Sequence, residues 1–239
     1  MEIKTPITKI GPLPTVQPPK VLVTQPGPPT RVTALVYGVP GIGKTTFANT
    51  FPDPFFIDIA GGMSTIRRSK RPYVQPTSYA EVTLVINQGV PAGTKTLVWD
   101  TISGGVRAYL DDSIGKTGRE FPTQAEWLMV VEWLKRSVRD ILQFPGHVVV
   151  TAQERYVKDE DTGKVIMGPA VPPSLILELG ALFDCVFHMR MAFDQKTGVQ
   201  NRKLMTIPDG LYHAKDRFGG LEKFEEPNFD HLMKKWSVT

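Results

Sequence analysis

One short stretch, GVPGIGKTT from Gly38 to Thr46, limits what this chain can fold into more than any other. Gly38, Gly43, Lys44 and Thr45 fit the spacing G-x-x-x-x-G-K-[ST], which turns successive backbone N–H groups toward one anionic centre at the start of a helix. Gly41 and Gly43 let the backbone approach phosphate oxygens with no Cβ in the way. Lys44 is placed to reach β- and γ-phosphates, and the Thr45 hydroxyl to ligate Mg²⁺. The expected ATP-binding loop is therefore Gly38, Val39, Pro40, Gly41, Ile42, Gly43, Lys44, Thr45 and Thr46, fed by the apolar run Val32 to Val36 as a strand.

A chain of 239 residues with 41% apolar content is long enough for one sizeable α/β domain. Residues 1–30 are rich in proline, which removes amide donors and favours extended backbone; they read as a flexible arm ahead of a domain at 31–239. Cys185 is the only cysteine, which excludes a disulfide framework or a cysteine metal cluster. His147, His188, His213 and His231 are scattered without ligand spacing, so no structural zinc is expected. No apolar run approaches membrane-spanning length and the N-terminus lacks a signal-peptide core, which makes a cytoplasmic protein the expectation. The net charge of +4 is compatible with a polyanionic partner without requiring one.

From Arg31 onward strands and helices alternate: a strand to Tyr37, a helix at 44–50, a strand at 55–59, a helix at 79–88 and a strand at 96–99. A helix at 124–144 carries Trp127, Val130, Val131, Leu134, Val138, Ile141 and Leu142 on one stripe, and HVVVTA supplies another buried strand. A polar loop at 155–168 and a short helix at 174–180 follow. FDCVFHMRMA and VQNRKLMTI then read as an antiparallel hairpin at the sheet edge. The expected fold class is α/β: a P-loop core with a mainly parallel sheet, helices on both faces and an antiparallel C-terminal hairpin.

In KTLVWDTIS an apolar strand ends in Asp100, where a carboxylate can hold Mg²⁺ through its water shell beside Thr45. Thr101 follows, so the adjacent second acid of many motor ATPases is absent. Lys215 and Arg217 stand two apart in AKDRFGG, a spacing that projects both from one side of an extended segment.

The segments VYGVPGIGKTTFANTFPDPFFIDIAGGM, TLVWDTIS, VVVTAQER and YHAKDRFGGL, in that order, resemble the RecA-like ATPases that phages use for homologous recombination, including the Sak-type single-strand annealing group. The resemblance implies a RecA-like core that binds ATP between neighbouring subunits and grips single-stranded DNA. In that family the strand after the phosphate-loop helix commonly ends in Asp, one residue, then a Glu that activates the attacking water; here Ala60 occupies the glutamate's place. Loss of a positioned base typically costs about 10²–10⁴ in rate, so turnover is expected to be slow unless Asp58 or Glu154 stands in. Asp58 suits a structural strand-end acid equally well. Gln153 matches the family's γ-phosphate sensor, and Lys215 with Arg217 resembles the K-x-R-x-G element whose cations reach the ATP of the adjacent subunit in RecA-like hexameric helicases. The implied catalytic set is Lys44, Asp100, Gln153, Lys215 and Arg217, with Mg²⁺ on Thr45 and Asp100.

Two loops are the expected DNA contacts: SIGKTGREFP with Lys116, Arg119 and Phe121, and RYVKDEDTGK with Arg155, Tyr156, Lys158 and Lys164. These readings converge on an oligomeric, ring- or filament-forming, ATP-dependent single-stranded DNA-binding protein. A module in which ATP acts only as an assembly ligand, a small-molecule kinase sharing the P-loop and a helicase loader are the alternatives.

Overall fold

In the computed structural model, residues 27–158, 163, 165–193 and 198–238 are described; the proline-rich arm falls almost entirely outside them, as does Lys164. The elements in chain order are β1 (Thr33–Tyr37), α1 (Lys44–Ala48), β2 (Pro54–Asp58), a 3-10 segment (Gly62–Ser69), β3 (Tyr73–Val74), α2 (Tyr79–Gln88), β4 (Thr96–Asp100), α3 (Ile102–Gly115) and α4 (Gln124–Ile141). There follow β5 (His147–Ala152), β6 (Glu154–Lys158), β7 (Val165–Pro169), α5 (Leu175–Leu182), β8 (Cys185–Phe193), β9 (Gln200–Met205), β10 (Lys215–Asp216), β11 (Phe224–Glu225) and α6 (Phe229–Trp236).

The main sheet runs β11-β9-β8-β1-β5-β4-β2-β3, with β10 alongside β8 and a separate ribbon formed by β6 and β7. The strands from β8 across to β3 are parallel, and β9, β10 and β11 are antiparallel additions after β8. This is the mainly parallel, helix-covered sheet with antiparallel C-terminal strands expected of a P-loop core.

Strict alternation along the strands builds two cores. Leu35, Tyr37, Ile57, Leu97, Trp99, Val148 and Val150 face α2, α3, α4 and α5. Ala34, Val36, Phe56, Val98, Val149 and Phe187 face α1, the 3-10 segment and α6. Because both faces are buried, these strands read as nearly continuous apolar runs rather than alternating ones.

Local chemistry fixes the helix starts. Thr123 and Glu126 form a capping box on α4, and Ser78, Thr101 and Asn228 cap α2, α3 and α6 through their side chains. Val130, Leu134, Val138 and Ile141 of α4 are fully buried, whereas Trp127 in its first turn stays at the surface.

Two departures from the sequence expectation bear on the expected DNA loops. Residues 102–115, unassigned from sequence, form α3, so Ser113, Ile114 and Gly115 of the first expected DNA loop belong to a helix. The polar stretch from Arg155 to Gly168 contains two strands instead of a single loop: β6 and β7 pair antiparallel from Glu154 with Pro169 to Lys158 with Val165. Charged side chains suit a two-stranded ribbon lying off the main sheet, which has no need of an apolar run.

Candidate nucleotide site

All the groups in question arrive at the carboxyl ends of parallel strands: the phosphate loop after β1, Asp58 at the end of β2, Asp100 at the end of β4 and Gln153 just after β5. Open α/β sheets bind ligands at this edge, in the crevice where neighbouring strand connections diverge. Here β5 and β4 lie between β1 and β2, so the chain leaving β1 through α1 must cross them.

A cavity of about 310 Å³ opens there, lined by Pro40, Gly41, Gly43, Lys44, Thr45 and Thr46 of the loop and by Ala60, Gly62, Thr65, Asp100, Thr101, Gln153 and Arg202. Gly41 and Gly43 adopt φ of 77° and 112°, backbone that suits glycine and leaves those two positions free of side chains. A Cβ on Gly38 would run into the Met189 carbonyl, so the first glycine of the motif is set by its packing on β8.

Lys44 is buried and its Nζ donates to the Gly38 and Val39 carbonyls at 2.8 and 2.9 Å. Burial pushes its ammonium below the ordinary lysine value, opposed by the charges of Asp100 and Glu154. The Thr45 hydroxyl donates to Asp100 Oδ2 at 2.6 Å and Thr151 donates to Asp100 Oδ1 at 2.5 Å, so both carboxylate oxygens are held. Burial raises the Asp100 carboxyl above the usual carboxylate range, and the two threonine bonds pull it back.

The Thr45–Asp100 pair fits a hard divalent cation on its donor set, a hydroxyl and a carboxylate oxygen side by side. Gly62 keeps the space beside it open: a Cβ there would stand 2.7 Å from Asp100 Oδ2 and 3.0 Å from Thr45 Oγ1. Among the described residues no group of three or more His, Cys, Asp or Glu could hold a metal.

Ala60 lines the cavity and is exposed, with only a methyl group to offer. Asp58, 1% exposed, spends its carboxylate on the backbone amides of Gly62 and Met63 at 2.8 and 3.1 Å, which makes it the cap of the 3-10 segment. Glu154 is half-buried and shares a 2.9 Å hydrogen bond with Nε2 of the buried His188, whose ring stacks on Tyr212. Gln153 is exposed to the cavity, and its backbone N–H donates to Ser103 Oγ at 3.1 Å, joining the start of α3 to the start of β6.

Lys215 and Arg217 lie elsewhere. Strand β10 pairs with the first residues of β8, at the sheet edge opposite the phosphate loop. Both side chains point the same way, onto the C-terminus of α5. Lys215 Nζ donates to the Gly180, Ala181 and Phe183 carbonyls at 3.3, 3.2 and 2.7 Å. Arg217 donates to the Ala181 carbonyl at 3.1 Å and pairs with Asp184 at 3.0 Å. Burial lowers the Lys215 ammonium, and the Arg217 charge adds to that effect.

Of the expected DNA contacts, Lys116 pairs with Asp112 and Arg119 with Glu126, both at 2.6 Å, while Phe121 is 72% exposed. On β6, Arg155 donates to the Val171 carbonyl at 3.3 Å, and Tyr156 is 71% exposed. Arg202 of β9 and Thr65 are cavity residues that sequence reasoning missed; the one available signal for Arg202 was its two-residue offset from the buried Leu204.

No curated protein matches this sequence. Among solved structures, a KaiC-like protein from Pyrococcus horikoshii OT3 is similar at 18% identity and a TM-score of 0.44, over 73% of this chain and 77% of that one. The RadB recombinase is similar at 18% identity and a TM-score of 0.40, over 73% of this chain and 87% of that one. A family model described as an AAA domain, AAA_24, matches residues 30–218, a span that holds the phosphate loop, Asp100, Gln153 and the Lys215/Arg217 pair. With that match over most of its length, the chain belongs to the AAA-domain family.

Proposed function

We propose that this protein is an ATP-dependent, oligomeric single-stranded DNA-binding protein of phage recombination or replication, with weak DNA-stimulated ATPase activity. The observation that carries the nucleotide part is the Thr45–Asp100–Thr151 chain, set beside a glycine-lined phosphate loop whose lysine already points along it. The loop amides would take the phosphates, and Lys44 would exchange the Gly38 and Val39 carbonyls for phosphate oxygens. Thr45 and Asp100 would hold Mg²⁺, which when bound neutralises charge on the β- and γ-phosphates. Asp100, 2% exposed and fixed by Thr151, can hold its geometry while Thr45 turns away from it.

Weak turnover follows from the acids. Asp58 is committed to two backbone amides, so Glu154, tethered by His188, is the remaining stand-in for the glutamate that Ala60 replaces. Gln153 faces the cavity and leads directly into β6, which supports a path from phosphate occupancy to the β6–β7 ribbon and its exposed Tyr156, a stacking surface for a base. Arg217, 51% exposed at its side chain and released from Asp184 at little cost, is the cation suited to reach a neighbouring subunit's triphosphate. Lys215, spread over three carbonyls, positions the segment.

Sedimentation velocity with magnesium, a non-hydrolysable ATP analogue and an oligonucleotide tests this reading. Assembly of the wild type and its loss in Lys44→Ala are expected. A wild-type chain that stays monomeric with all three supplied contradicts it.

A further inference from the structure

The two strands flanking the phosphate loop differ in length. Strand β1 ends at Tyr37, opposite His188, but β8 runs on to Phe193 with β9 paired to it throughout. The β8–β9 pair thus continues past the point where the loop begins. Arg202 sits opposite Met191, beyond the last residue of β8 that β1 pairs with. Side chains two apart on a strand share a face, and Leu204 is buried in the core that holds Phe47 and Ala48 of α1. The same face therefore carries Arg202 over the phosphate loop.

The contact is close. A Cβ on Gly43 would stand 3.3 Å from Arg202 Cδ and 3.4 Å from its Nε, so the arginine stem lies along the bare Cα of the loop's last glycine. The side chain then lines the phosphate cavity on the flank away from Asp100, which enters from β4. Among the described residues its guanidinium has no carboxylate or hydrogen-bond partner, unlike Arg119 and Arg217. An unpaired guanidinium whose stem lies against the glycine loop is a fork shaped for phosphate oxygens.

We infer that Arg202 is a phosphate-binding residue supplied by the protomer's own C-terminal hairpin, closing on the polyphosphate from the side opposite Thr45 and Asp100. This rests on the loop binding a nucleotide. It also makes β9 sensitive to whether the cavity is filled, because the guanidinium gains its first anionic partner only then.

The test is equilibrium binding of fluorescent ATP and ADP to the wild type, Arg202→Ala, Arg202→Lys and Lys44→Ala, with the thermal midpoint of each measured without nucleotide. Affinity in Arg202→Ala should fall about tenfold for both nucleotides, with partial recovery in Arg202→Lys and an unchanged nucleotide-free midpoint. Wild-type affinity in Arg202→Ala, while Lys44→Ala loses binding, overturns the assignment and leaves the loop's role standing. Absence of binding by the wild type overturns both.

Discussion

Replacing Gly62 by alanine should separate cation binding from nucleotide binding. Its backbone φ is not in the left-handed region, so alanine brings no conformational strain of its own. The added methyl would stand 2.7 Å from Asp100 Oδ2 and 3.0 Å from Thr45 Oγ1, short of ordinary contact by several tenths of an ångström. The carboxylate cannot swing clear, because Thr151 holds its other oxygen at 2.5 Å in a fully buried position. Pushing Asp100 off Thr45 costs about 1–3 kcal/mol by the usual scale for overpacking and for a disturbed buried hydrogen bond. The methyl also fills the space beside the two oxygens that would hold Mg²⁺, and disturbances at that distance typically lower metal affinity about 10–100-fold. The assay is fluorescent ATP binding at increasing magnesium, starting from chelator. Gly62→Ala should match the wild type in chelator, since the loop amides are untouched, and should lose most of the magnesium-dependent gain. A full wild-type response to magnesium would refute the placement of the cation between Thr45 and Asp100.

Ala60→Glu places a carboxylate at the cavity wall and should raise ATP turnover by about tenfold or more, read by phosphate release; an unchanged rate would locate the limiting step away from the missing base. Lys215→Ala removes a donor from three carbonyls at the end of α5 and should destabilise the isolated chain by about 1–3 kcal/mol in urea unfolding. Arg217→Ala should cost under about 1 kcal/mol, leave nucleotide affinity intact and remove DNA-stimulated hydrolysis; retained stimulation would count against its reach to a neighbour. Burial depresses His147, His188 and His213 below the ordinary value of 6.5. The unfolded chain then binds protons that the folded chain refuses, so stability rises with pH through the window from the depressed values up to 6.5 and is lost as pH falls through it. The thermal midpoint should drop between about pH 7 and pH 5, and a flat profile would show that the rings stay solvated.

Local pattern made much of this legible in sequence. The phosphate loop, the strand ending in Asp100 and the stripe of α4 each carry their signal within a few residues. Helix α3 does not, because Gly104 and Gly105 sit in its first turn and each glycine weakens a helix by about 1 kcal/mol relative to alanine. Both are demanded by packing: a Cβ on Gly104 would meet Ile59 Cγ2 at 2.6 Å, and one on Gly105 the Trp99 ring at 2.8 Å. Tertiary fit overrides propensity there, and no window of sequence records it. Arg202 was hidden for a related reason. Its importance comes from β8 outrunning β1, a property of strand register between distant segments. The Lys215/Arg217 spacing did place both cations on one side of the chain, but sequence could not disclose the α5 carbonyls that engage them in the single protomer.

The central claim is that nucleotide in the phosphate loop governs the grip on single-stranded DNA. Fluorescence anisotropy of a labelled oligonucleotide, titrated with protein at several salt concentrations with and without a non-hydrolysable ATP analogue and magnesium, measures it directly. Binding should be salt-sensitive, strengthen at least tenfold with the analogue and lose that gain in Lys44→Ala. Equal DNA affinity with and without nucleotide, or a Lys44→Ala titration that overlays the wild type, would contradict it.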